Sequence, residues 1–154
     1  MNDTGTKYEK LIEDALNNNS EWTFKTQYPI GIKPNGKTKH TVDIYLTEIR
    51  EVVSLKCQTG PGTAGDKIPY EVRVLQHAIE QGNCDSAVIV LHGDGFNRDD
   101  KKWFLSEGFC AKQNCPDVRI MEHDDFLREY TTNADDGYPK KEKGLERFLF
   151  NNES

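Results

Sequence analysis

The chain lacks any long apolar run. No stretch of its 154 residues approaches the roughly 20 consecutive apolar residues of a membrane-spanning helix, so no membrane partner is expected. The opening residues Met-Asn-Asp-Thr-Gly-Thr-Lys carry no apolar signal core, and a cytoplasmic location is expected. Cysteine is scarce: Cys57, Cys84, Cys110 and Cys115. Without an export signal these read as reduced thiols, not as a disulfide framework. Cys110 and Cys115 stand near a zinc-ligand spacing, but no second closely spaced pair completes a four-ligand site. Net positive charge is also missing. A formal charge of −6 argues against a uniformly basic nucleic-acid binder, although a local basic patch can still track phosphates. There is no internal repeat and no second apolar block, so residues 1–154 are expected to form a single domain around one core.

What is present concentrates between residues 40 and 72. Asp43 sits inside an apolar strand-like run, Val42-Asp-Ile-Tyr-Leu46, and a second run follows, Val52-Val-Ser-Leu-Lys-Cys57. The charged residues between them make the pair read as a hairpin. Side chains alternate along a strand, so Ser54 and Lys56 share one face and Leu55 takes the other. A glycine-rich loop, with Gly60, Gly62 and Gly65, leads into a helix carrying Glu71. No Gly-Lys-Ser/Thr follows, so it is not a Walker A loop. It reads either as a close backbone approach to nucleic acid or as a plain strand-to-helix connection. The stretch thus gathers two carboxylates and a lysine. Oxygen ligands hold a hard divalent ion and an ammonium positions water, which is what metal-assisted phosphodiester hydrolysis requires.

Around this stretch the elements follow from spacing. Residues 6–18 read as a helix with Tyr8, Leu11, Ile12, Ala15 and Leu16 on one face. Residues 22–32 read as a strand ending in the turn Lys-Pro-Asn-Gly, where Asn-Gly takes positive φ. Three strands in a meander result. In the next helix Asp66 can act as cap, and Ile68, Val72, Leu75 and Ile79 pack on the sheet. Glu71 falls near that buried face, where a charge needs a partner or a metal; a salt bridge to Lys67 is the alternative. Residues 84–92 are apolar on both faces, as in a buried strand parallel to the one before. His92 and Asp94 at its end suggest either acid–base work or a polar turn. A helix over 99–111, a strand Val118–Met121 and a helix Asp124–Tyr130 follow. Residues 131–144 read as a polar loop and 145–150 as a short C-terminal helix. Lys33, Lys37, Lys39 and His40 form the candidate phosphate-contacting patch, with Lys67 near Glu71; solvated surface lysines are the alternative. Gln58, on the Lys56 face, is a further candidate contact to phosphate or base.

Asp43 followed by Ser-x-Lys at 54–56 resembles the PD-(D/E)XK nuclease superfamily, whose motif is an Asp on one strand and acid-x-Lys on the next. Val42 stands where the motif has Pro, and Ser54 where it has the second acid. One branch of restriction endonucleases carries Ser-x-Lys and takes that acid from the following helix, where Glu71 stands. The resemblance implies an α/β fold, with a mixed central sheet flanked by helices. It implies Mg2+, with Mn2+ as substitute, held by Asp43, Glu71 and the main-chain carbonyl of Leu55, and Lys56 orienting water. It further implies that Glu9, in Gly-x-x-Tyr-Glu-x-x-Ile, reaches the metal site; a plain surface role for Glu9 or Glu13 is the alternative. The expected function is a type II restriction-like endonuclease acting on double-stranded DNA as a homodimer or homotetramer. A homing, junction-resolving or repair nuclease on the same fold, and an inactive DNA-binding module, are the rivals.

Overall fold

Helical spacing places the first apolar stripe correctly in all but one position. Helix α1 (Asp3–Asn19) buries Tyr8, Ile12 and Leu16 almost completely, while Leu11, expected beside them, is 47% exposed. Burying each such side chain stabilises the fold by about 1.5–3 kcal/mol. The computed structural model describes residues 3–62 and 64–131. Thr131 aside, the loop expected over 131–144 and the helix expected over 145–150 lie outside the described residues.

Strands β1 (Phe24–Ile32), β2 (Lys39–Leu46) and β3 (Glu51–Cys57) form the expected antiparallel meander. Gly36 alone takes positive φ in the β1–β2 turn, while the Asn35 side chain accepts the N–H groups of Lys37 and Thr38. Helix α2 (Ile68–Glu80) crosses over to β4 (Ser86–His92), which pairs parallel with β3 from Glu51–Ser86 to Cys57–His92. Strand β5 (Val118–Glu122) pairs parallel with β4, giving one mixed sheet in the order β1-β2-β3-β4-β5. The central position of β4 explains its unbroken apolar sequence. Ala87, Ile89 and Leu91 face the layer of α2, whereas Val88 and Val90 face the layer of α1 and of α5 (His123–Tyr130). Among the described residues no helix is long and apolar enough to cross a membrane.

Three local expectations are corrected. The helix expected over 99–111 is two helices, α3 (Arg98–Leu105) and α4 (Phe109–Lys112). Between them Gly108 takes φ +84, and the Ser106 hydroxyl bonds the Trp103 carbonyl, so the first helix closes there. Asp66 does not cap α2: it lies in a short 3-10 turn, Ala64–Lys67, and Lys67 holds the cap position without a side-chain bond. Gln58 is buried, not presented to solvent. Its carboxamide donates to the carbonyls of Gly60 and Gly95 at 3.0 and 3.1 Å. It therefore braces the loop after β3 against the loop after β4, and the glycines serve this strand-end brace.

Strict alternation also fails in one place that matters. Phe24 of β1 packs on the α1 layer, but Tyr28 and Ile30 pack on the α2 layer. Along β2, Ile44 and Leu46 belong to the α1 layer and Val42 to the α2 layer. Both strands exchange faces at the same level, between the pairs Thr26–Ile44 and Tyr28–Val42. Gln27 and Asp43 stand at that level, and Gln27 has φ +47. The left-handed backbone of Gln27 marks this level in β1, while β2 makes the exchange with no left-handed residue.

The loop brace yields a stability prediction. A Cβ on Gly93, which has φ +98, would lie 2.3 Å from the Gln58 carbonyl oxygen. Gly93→Ala combines backbone strain with a backbone collision, and should cost more than about 2 kcal/mol. Urea denaturation of the variant against the parent measures this; an unchanged midpoint would mean the two loops are not braced.

Candidate active site

The strands β2 and β3 are paired from Leu46–Glu51 to Ile44–Val53, and Asp43 is the next residue beyond that ladder. Its carboxylate accepts the Leu55 N–H at 2.8 Å, so a side chain takes up a strand amide next to the last ladder pair. One residue further along β3, Lys56 projects on the α2 side with Ser54, as alternation requires. Glu71 comes down from the first turn of α2. Its carboxylate lies 3.7 Å from the Lys56 ammonium and accepts a 3.2 Å hydrogen bond from the buried Ser54 hydroxyl. The partner of Glu71 is thus Lys56 and not Lys67.

These groups line a cleft of about 210 Å³ together with Lys33, His40, Thr41, Val42, Tyr70 and Val74. His40 and Val42 reach it because of the exchange of faces at Gln27 and Asp43. His40 is only 4% exposed, so it is not the surface cation expected of a phosphate-tracking patch. Burial holds its imidazole below the ordinary value, with Glu71 opposing. Lys37, Lys39 and Lys67 are exposed and lie outside the cleft lining, while Lys33 is part of it. Gln58, committed to the loop brace, does not line the cleft.

Glu9 approaches Asp43 from the α1 side. The Tyr8 ring stacks on His92 at 4.4 Å between centroids, and its hydroxyl shares a 2.8 Å hydrogen bond with His123 Nδ1. That anchoring pins the helix and uses His92 in packing. Burial, then the charge of Asp43 and a hydrogen bond to it, push the Glu9 carboxyl up to about 7; Gln27, donating to it at 3.3 Å, opposes them. Glu13 lies on the same helix and adds to the repulsion. Burial and the neighbouring charge of Asp43 thus favour the protonated form of Glu9. Crowded oxygen donors of this kind fit a hard divalent cation, which would take the proton's place. Among the described residues no three His, Cys, Asp or Glu side chains close into a ready-made cage. Cys110 and Cys115 are free thiols.

Reading the chain alone missed Gln27, which faces Glu9, and Thr41, Tyr70 and Val74, which line the cleft. No local signal marks Gln27, a polar residue on an exposed strand position.

An antiparallel meander continued by parallel strands, with acids and a lysine at the parting of β2 and β3, defines a nuclease-type α/β domain. The family model of the PD-(D/E)XK nuclease superfamily domain matches residues 2–133, and the chain belongs to that superfamily. Membership implies a nuclease with a nucleic-acid substrate, and the superfamily generally uses divalent metals. No curated protein matches the chain, and no solved structure does.

The crowded acids make a pH prediction. Glu9 holds its proton more tightly folded than unfolded, since its folded value of about 7 exceeds the ordinary 4.5. Its contribution to stability is present at low pH and is lost as pH rises through about 7. Denaturation in EDTA across that window should show a falling stability that Glu9→Gln flattens. An identical pH slope in parent and variant would remove the strained acid pair.

Proposed function

We propose that the chain is a Mg2+-dependent DNA endonuclease of the restriction type, for which Mn2+ substitutes. What supports this reading above all is that Asp43, Lys56 and Glu71, from three different elements, line one cleft, and that the Lys56 and Glu71 side chains face each other across it. Asp43 and Glu71 would hold the ion with the Leu55 main-chain carbonyl, and Glu9 would support Asp43 from the other layer. A bound divalent ion supplies charge neutralisation at the phosphate and a more acidic water.

The chain's own groups account for the rest. Lys56 orients the attacking water and stabilises charge developing on the phosphate oxygens. Its ion pair with Glu71 keeps the ammonium aimed into the cleft before substrate arrives. Ser54 holds Glu71 in place as a neutral donor; an acid at 54 would meet Glu71 as a like charge. Lys33 at the cleft, with Lys37 and Lys39 on the same hairpin, would track the phosphates of double-stranded DNA. The inactive-module rival is disfavoured by this pairing, since Glu71 occupies the place that Ser54 leaves empty of charge. The homing, junction-resolving and repair rivals differ in substrate shape, which a panel of plain duplex, branched and lesion-bearing DNA separates.

In a plasmid-cleavage assay with Mg2+, Asp43→Ala and Lys56→Ala should each lower the rate by at least about 10²–10³-fold, while DNA binding largely persists. Glu71→Gln should raise the Mg2+ concentration needed. Near-parental rates for either alanine variant would move the chemistry elsewhere.

Cutting both strands at a two-fold-related site needs two such centres, so the active form is expected to be a homodimer or homotetramer. Sedimentation of the DNA complex checks this. A strict monomer that makes concerted double-strand breaks would contradict it.

A further inference from the structure

Among the described residues, three other than glycine have positive φ: Gln27, Arg50 and Asn114. Arg50 lies in the tight turn between β2 and β3, and Asn114 follows the end of α4, where left-handed backbone is ordinary. Gln27 is different, because it lies inside β1 with paired residues on both sides, Thr26–Ile44 and Tyr28–Val42. A glutamine held there at φ +47 is strained, and such strain persists only where surrounding structure imposes it.

Two observations show what that conformation accomplishes. Gln27 stands abreast of Asp43, at the level where β1 and β2 both exchange faces. Its carboxamide also donates to Glu9 at 3.3 Å, and Glu9 lies close enough to Asp43 to feel its charge. One residue therefore holds Glu9 through its side chain and stands, through its strand, at the level of Asp43.

We infer that Gln27 is a positioning residue, whose left-handed backbone and carboxamide together set Glu9 against Asp43 for cation binding. This rests on the reading of Asp43 as part of a divalent-metal site. Gln27 itself contacts no reacting group. Glycine adopts positive φ without penalty, so Gln27→Gly relaxes the backbone while deleting the amide. A residue with a merely structural role would then show no change in cation binding.

The test measures Mn2+ binding by calorimetry and melting in EDTA on the whole chain. Gln27→Gly should melt at or above the parental temperature, yet bind Mn2+ at least about fivefold more weakly, about 1 kcal/mol. Gln27→Asn tolerates left-handed backbone but its shorter amide cannot reach Glu9, so it should show the same loss even if the glycine variant folds poorly. Combined with Glu9→Gln, neither should weaken binding further, because the effect runs through Glu9. Parental Mn2+ affinity in both variants, or an equal additional loss in the Glu9→Gln background, overturns the inference. Asp43→Asn separates the two levels: if it leaves Mn2+ binding intact, the metal-site reading itself fails and the inference falls with it.

Discussion

The Asp43 carboxylate on the Leu55 N–H is the contact on which the site depends. The β2–β3 ladder is continuous up to Ile44–Val53, and Asp43 and Leu55 lie just beyond it. A strand amide left unpaired in a part-buried place costs about 1–3 kcal/mol, and a charged acceptor at 2.8 Å removes that cost. The same bond anchors the carboxylate to β3, where the next residue is Lys56. An acid on one strand and an ammonium on its neighbour are thereby held in a fixed relation at the end of a rigid sheet, not on a loop.

Charge is arranged around that anchor in an unequal way. Glu71 has a cation and a hydroxyl for company, Lys56 and Ser54. Glu9 has another acid, and burial and Asp43 together keep it protonated up to about pH 7. The crowding is unfavourable for folding alone, since stability falls as that proton is lost. Such a price in stability is ordinary where side chains are placed for chemistry and not for packing. The apolar layers on both faces of β4 supply the surplus that tolerates it.

The exchange of faces at Gln27 and Asp43 shapes everything beyond it. Below that level Phe24, Ile44 and Leu46 face the α1 layer, and above it Tyr28, Ile30 and Val42 face the α2 layer. The outer hairpin thereby forms a wall of the cleft, carrying His40 and Lys33 to the side where Glu71 stands. The opposite loops, after β3 and β4, are tied by Gln58 and by glycines too close for any side chain. One rim of the site is thus a twisted hairpin and the other a rigid brace.

The sequence by itself determined the element order, the meander followed by parallel strands, and the candidates Asp43, Lys56 and Glu71. Those signals are local: alternation along β3, helical spacing around Ile68, Val72 and Leu75, and an unbroken apolar β4. Periodicity missed the break at Gly108, since Phe109 continues an apolar pattern whose backbone has already turned. It also could not assign His40 or Gln58, because burial depends on what packs over a residue. His40 looked like one more cation in a lysine run, and Gln58 like a strand-face neighbour of Lys56. Tertiary structure alone decided that Glu71 pairs with Lys56 and that Glu9, not Glu13, meets Asp43. The reason is physical: which helix packs on which face of the sheet, and where a strand pair parts, decide which charged side chains meet. Neither leaves a trace in residue spacing.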